Sequence, residues 1–299
     1  MAIAHDFEYA RPATLAEAIL LLNTHQEKAK ILAGGTDLID SIKDAMLVPE
    51  ILSDIKDMRE LCEIKEEPGQ ISIGAGVTFT QLLENPIIKK QFPMLWDASA
   101  TVASSGIRNR ATLAGNICTA VPSLDSAPAL LCHEAVVHCA SSNGTRELHI
   151  GDWFIAPRKT ALRPNEILTH ITMLFPAEDS TGIYLKIGRY NGEDMAQAGW
   201  GFWVSKQHQY RIAHCALAPF PKRAADIEAL LNGKALDDQL IEQAMALVES
   251  VISPITDIRS SQEYRIHISK VMLKRGLKAA QDRLQGIIVE PKALLGGFA

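Results

Sequence analysis

The chain has 299 residues, 47% hydrophobic and 22% charged, with a formal net charge of −5. That length suits about two domains with ample core, and the composition excludes a disordered or fibrous chain. The acidic balance, without a Lys/Arg run, argues against nucleic-acid binding, and no stretch reaches the roughly 18 unbroken apolar residues of a membrane span.

In chain order, MAIAHDFEYARPATL lacks a basic region leading into an apolar core, so no signal peptide is expected. Thr14 with Glu17 makes a capping box ahead of the apolar run at 18–22, predicting a helix. Ile31-Leu32-Ala33 reads as a short buried strand that stops at Gly34-Gly35-Thr36-Asp37. Leu38-Ile39 resume with helical spacing, predicting a helix over about 37–46. A strand, a glycine turn and a helix start form an amide cradle for an anion, or else an ordinary tight turn. EILSDIKDM (50–58) gives a strand and a turn. Residues 62–67 and 70–77 flank Pro68-Gly69 as a hairpin, with Ile71 and Ile73 alternating in the second arm. Thr78 caps a helix through Leu83, and 93–105 reads as a closely packed helix rich in small residues. Such alternation fits a doubly wound sheet, but the hairpin favours α+β.

A second glycine-bearing stretch follows at 106–137, with a turn at Thr112–Asn116, then a proline-broken loop carrying Ser123 and Asp125. One phosphate seldom needs two such loops, whereas a diphosphate bridging two halves of a molecule does. There is no GxGxxG and no GxxxxGK[ST], which argues against a Rossmann or kinase-type site. LCHEAVVHC (131–139) holds metal-ligand types but reads as a strand, placing Cys132 and His133 on opposite faces. The five cysteines, Cys62, Cys118, Cys132, Cys139 and Cys215, are scattered without a CxxC pair, as in a reduced cytoplasmic protein.

ILAGGTDL (31–38), IRNRATLAGNI (107–117), Pro122 with Asp125, and DIRSSQEYRIHISKVMLKRGL (257–277) with Arg259, Tyr264 and Arg265 carry a resemblance. The chain resembles the FAD-binding medium subunits of the molybdenum hydroxylases, the family of bacterial xanthine, carbon monoxide and nicotinate dehydrogenases, over about 5–282. The resemblance implies an α+β fold. A vanillyl-alcohol-oxidase (PCMH)-type FAD domain of two lobes, 1–56 and 57–177, precedes an α+β domain over 178–285 and a tail, 286–299. The chain agrees with that plan. PNEILTHITMLF (164–175) reads as a closing strand and 177–182 as a polar linker, with strands at about 183–189, 197–205 and 209–217. Helices follow over 222–232 and 237–252, and Ser260 with Glu263 caps the last one.

By the same resemblance, Lys30, Ile31, Leu32, Ala33, Gly34, Gly35, Thr36, Asp37 and Leu38 form the first cofactor segment, with backbone N–H groups at 33–36 on the pyrophosphate. A carboxylate there is electrostatically awkward, so Asp37 is expected to turn away and cap its helix. Ala111, Thr112, Gly115 and Asn116 should meet the pyrophosphate and ribityl chain from the other side, with Cys118 and Thr119 nearby. Ala114 stands where many relatives have glycine. Asp125 should accept from flavin or ribose hydroxyls, or else order its own loop. Val102, Ile107, Leu124, Ile167 and Leu168 are apolar neighbours of the ring, or ordinary core. Lys186 should lie near the pyrimidine end of the flavin, unless it is an exposed strand lysine; Met195 replaces an aromatic residue beside the ring. Arg108 and Arg110 flank the second loop, to pair with a phosphate or partner, or as solvated surface.

The implied function is an electron-transfer flavoprotein subunit with noncovalent FAD, since neither loop offers His or Cys where covalently flavinylated relatives attach it. Molybdopterin would reside in a large partner subunit and [2Fe–2S] clusters in a small one, assembled as a dimer of heterotrimers, with NAD+ or another molecule as acceptor. A stand-alone flavin oxidoreductase would need a larger second domain, and a non-catalytic assembly subunit would have degenerate glycine loops.

Overall fold

The computed structural model describes residues 3, 5–176, 179–190 and 193–294. The first lobe runs β1 (Glu8–Ala10), α1 (Leu15–His25), β2 (Ala29–Leu32), α2 (Thr36–Lys43) and β3 (Ile51–Asp54). Its three strands are parallel in the order β1-β3-β2, which puts the β2–α2 turn at the carboxyl end of the sheet. Thr14 Oγ1 caps α1 by accepting from Glu17 N–H at 3.2 Å. The Glu17 carboxylate reaches Ala13 N–H at 2.7 Å, one residue beyond the reciprocal bond of a capping box. Helix α2 ends before the predicted 46 because Ala45 takes a left-handed φ of 54°.

The second lobe holds the predicted hairpin, β4 (Ile64–Glu67) and β5 (Gln70–Gly74), turning at Gly69 with φ +81°. Helix α3 (Phe79–Glu84) carries a full capping box between Thr78 and Gln81. Then come α4 (Pro86–Gln91), α5 (Pro93–Ala100), α6 (Ser105–Arg108), α7 (Leu113–Thr119) and α8 (Ser126–Cys132). The single helix predicted over 93–105 is therefore two. Ala103, at φ 38°, breaks it. LCHEAVVHC is likewise no continuous strand: Cys132 closes α8, and Glu134 turns at φ 51° before β6 (Val136–Ser141). The lobe closes with β7 (Gly144–His149), β8 (Phe154–Ala156), β9 (Lys159–Thr160) and β10 (Ile167–Leu174). Strand β10 is central in an antiparallel sheet ordered β4-β5-β10-β6-β7.

The last unit is an antiparallel sheet, β11 (Ser180–Ile187), β12 (Ala198–Ser205), β13 (Tyr210–Cys215) and β14 (Lys222–Arg223), in that order. The expected linker is shorter than 177–182, since the strand begins at Ser180; the boundary placed near 178 lies outside the described residues. Helices α9 (Ala225–Leu231), α10 (Asp238–Ala246), α11 (Val248–Val251), α12 (Gln262–Leu284) and α13 (Pro291–Leu294) complete the chain. Ser261, not Ser260, caps α12, accepting from Tyr264 N–H at 3.2 Å.

Every residue of β12 is buried, because both faces of its sheet are covered. Trp200, Phe202 and Val204 pack with α12, while Trp203 joins the core of the second lobe. Glycines permit the close approach: a Cβ on Gly276 of α12 would enter the Phe202 ring, 2.5 Å from Cδ2, and one on Gly201 would lie 3.1 Å from Pro128 Cβ of α8. Asp97 of α5 pairs with Arg283 of α12 at 2.6 Å, both largely buried, so this ion pair is enclosed between the two units. Among the described residues no helix is long and apolar enough to cross a membrane.

Candidate cofactor site

The two glycine loops meet. A Cβ built on Gly34 would fall on the Arg110 carbonyl oxygen, 2.7 Å from its carbon and 2.9 Å from Ala111 Cα. Gly34 is thus required first by the contact between lobes. Gly35, at φ +78°, is the N-cap of α2, and no side chain accepts from the helix's first turn. Among the described residues, the N–H groups of 34–38 find no backbone or side-chain acceptor. A helix start with its donors free favours an anion.

Asp37 does not cap this helix, contrary to expectation; it lies in the first turn with its carboxylate exposed. Its Oδ2 lies 3.4 Å from Thr119 Oγ1, whose nearer acceptor is Gly115 O at 3.0 Å. The carboxylate therefore faces the second loop. Leu32 is buried and Leu38 half-buried in a small core with Ile42 and Leu52, while Lys30, Ile31, Ala33 and Thr36 are half-buried around the turn.

Where a turn is expected at Thr112–Asn116, the second loop opens a helix. Thr112 caps α7, its Oγ1 accepting from Gly115 N–H at 2.9 Å, and a Cβ on Gly115 would crowd that hydroxyl at 2.8 Å. Ala114 is not among the residues with positive φ, so its methyl group is accommodated. Phe79 N–H donates to Ala111 O at 3.0 Å and Leu113 N–H to Val77 O at 3.2 Å, pinning the loop to the start of α3. Asn116 Oδ1 accepts from Ser126 Oγ at 2.6 Å, which leaves its NH₂ available. Burial pushes the Cys118 thiol up to about 12, so it stays protonated and unreactive.

Of the five apolar residues predicted around the ring, Ile107 alone is exposed, at 39%; Val102, Leu124, Ile167 and Leu168 lie in the main core at 9% or less. Arg108 is half-buried and bonded within its own loop. Its Nη1 donates to Val102 O and Ala103 O at 2.8 and 2.6 Å, holding the strained turn at Ala103. Arg110 is exposed, and Met195 accepts from Arg259 Nη2 at 3.2 Å.

Asp125 and Lys186 form one unit. Lys186 Nζ lies 2.7 Å from Asp125 Oδ2 and 2.9 Å from Thr101 O, and both side chains of the pair are only 8% exposed. Tyr184 OH donates to Asp125 Oδ1 at 2.7 Å. Asp125 therefore does not order its own loop, and Lys186 is no exposed strand lysine. Burial raises the Asp125 pKa against the opposing pull of Lys186 and Tyr184. Sequence reading missed Tyr184, although its two-residue spacing from Lys186 places both on one strand face. Among the described residues no group of three His, Cys, Asp or Glu suits a metal ion.

Two sequence families match: "FAD binding domain in molybdopterin dehydrogenase" over residues 5–176 and "CO dehydrogenase flavoprotein C-terminal domain" over 183–280. The carbon monoxide dehydrogenase medium chain of Afipia carboxidovorans is 30% identical over 94% of this chain and 99% of its own. A protein of Escherichia coli named putative xanthine dehydrogenase FAD-binding subunit is 32% identical over 92% of this chain and 96% of its own. A solved carbon monoxide dehydrogenase chain from Hydrogenophaga pseudoflava superposes with a TM-score of 0.91 at 31% identity, covering 95% of this chain and 99% of that one. The free donors of the first loop and the absence of a Cβ at both its glycines fit a pyrophosphate group. The chain belongs to the FAD-binding medium subunits of the molybdenum hydroxylases.

Proposed function

We propose that this chain is the electron-transfer subunit of a multi-subunit molybdenum hydroxylase. A large partner would hydroxylate substrate at a molybdopterin centre, and a small partner would relay electrons through [2Fe–2S] clusters to noncovalent FAD held here. NAD+ or another acceptor would take them onward. The observation that carries this reading is the contact of two glycine loops from separate lobes beside an uncapped helix start. The relatives' names, medium chains and FAD subunits, support the presence of partners. We place the assembly, a dimer of heterotrimers, in the cytoplasm.

When bound, FAD supplies reversible electron storage between partner and acceptor. The chain's own residues bind and orient it. The N–H groups at 34–38 would hold the pyrophosphate, with the Thr36 hydroxyl as a further donor. Ala111, Thr112, Gly115 and the Asn116 amide would close on it from the second lobe. The Lys186 ammonium, aligned by Asp125, would favour negative charge on the reduced ring. No general acid or base for substrate is needed in this chain. Purification with its natural partners tests the reading: a flavin spectrum, acid-releasable FAD at one per chain, and two copurifying subunits carrying iron–sulfur and molybdopterin are expected. A colourless complex, or a yellow chain that oxidises substrate alone, would overturn it.

A further inference from the structure

Three strands place a polar cluster on the sheet face turned toward the FAD-binding unit. Lys186 of β11, Gly199 of β12 and Cys215 of β13 lie in one cross-strand row. Tyr184, two residues before Lys186, shares its face and leans over that row. Its hydroxyl lies 2.7 Å from Asp125 Oδ1 and 3.4 Å from Cys215 Sγ, with the whole side chain buried. Gly199 makes the space: a Cβ there would land on the Tyr184 hydroxyl and lie 2.5 Å from Cys215 Sγ. A core position between two large strands that admits no side chain, and whose room is taken by a phenol oxygen, is a built feature rather than loose packing.

We infer that Tyr184 is a positioning residue, whose hydroxyl keeps Asp125 ionised and thereby holds the Lys186 ammonium in place for the flavin. The inference rests on the function proposed above. A buried carboxylate needs donors on both oxygens. Here Lys186 serves Oδ2 and Tyr184 serves Oδ1. The ionisable groups facing Asp125 are Lys186 and Tyr184 from β11 and Cys215 from β13; the Thr101 carbonyl, at the C-cap of α5, accepts from Lys186, and Asp97 of α5 accepts from the Tyr184 backbone N–H rather than from its phenol. Burial keeps both the phenol and the thiol protonated, so each remains a donor across the working pH range.

Without the phenol proton, Asp125 takes up its own proton at higher pH, and the lysine loses its counter-charge. The test is the midpoint potential of bound FAD, followed by spectroelectrochemistry across pH in the purified complex, for wild type, Tyr184→Phe and Gly199→Ala. Gly199→Ala keeps the phenol but displaces its hydroxyl. An upward move of the proton-linked step by about one pH unit or more in either variant, with FAD content retained, is the expected result. Profiles superimposed on wild type in both variants would overturn the role, while wild type lacking FAD would overturn the proposed function instead. Should Tyr184→Phe lose its flavin, the Gly199→Ala profile alone decides the question.

Discussion

Gly34→Ala probes the meeting of the two loops with a single methyl group. The new carbon would fall on the Arg110 carbonyl, 2.7 Å from its carbon atom, so the Arg110 peptide must retreat by about 1 Å to regain ordinary contact. That retreat separates the loops, because Ala111 is pinned on its far side by Phe79 and cannot follow independently. A pyrophosphate bridging both loops then loses one charge-assisted hydrogen bond, about 1.5–3 kcal/mol, or about 10- to 100-fold in affinity. Apo-chain titrated with FAD, monitored by flavin fluorescence with circular dichroism as a check on folding, measures this. Gly106→Ala is the control in the same region, since its Cβ would meet only Ser104 Oγ at 3.8 Å. Gly35→Ala should fall between the two, because it forces φ +78° on an alanine and brings its Cβ 2.9 Å from the Leu32 side chain. A folded Gly34→Ala variant that binds FAD like wild type would refute the idea that the loops act as one clamp.

Two further predictions concern the frame that holds the clamp. Arg283→Met leaves Asp97 buried, with Tyr184 N–H at 3.4 Å as its remaining donor, so about 3–5 kcal/mol of stability should be lost at neutral pH. With about 2.1 cal/mol/K of unfolding entropy per residue over 299 residues, that is about 5–8 °C in Tm. Burial already raises the Asp97 pKa, and losing Arg283 raises it further. Asp97 of the folded variant then protonates at a higher pH than in wild type, so the deficit should shrink as pH falls from neutral toward the raised wild-type Asp97 pKa; a neutral-pH deficit under about 1 kcal/mol, as for an exposed pair, would contradict this account. His133 is held neutral, its pKa lowered to about 3 by burial, with its ring edge-on to Phe92 at 5.1 Å. The unfolded chain takes up this proton near pH 6.5 and the folded chain does not, so stability is lost as pH drops from 6.5 toward 3. His133→Phe should flatten the acid limb of a urea-midpoint profile by about 1.4 kcal/mol per pH unit; an unchanged slope would assign the acid sensitivity elsewhere.

Short-range chemistry was readable from the chain. The Pro68-Gly69 hairpin, the Thr78 cap and the glycine start of α2 each depend on residues within a few positions, and each stands as predicted. The errors were of the same range but lay where two local rules competed. Ser260 and Ser261 both offer a capping hydroxyl, and the helix uses the second. Asp37 sits where a cap is plausible, yet Gly35 has already opened the helix in a left-handed conformation that needs no side chain. LCHEAVVHC has strand composition throughout, but contacts between α8 and the last sheet keep its first residues helical.

The sequence alone therefore determined the family-bearing motifs, the α+β alternation and the two glycine turns, since turn geometry follows from backbone sterics at each residue. Only the tertiary structure decided that Gly34 faces Arg110 rather than open space, that Asp125 answers Lys186 and Tyr184, and that Asp97 answers Arg283. These partners, the loop pair included, lie 59 to 186 residues apart. No local spacing encodes such pairings; burial decides them, because a charge removed from water must find whichever opposite group the packing of distant elements brings within reach.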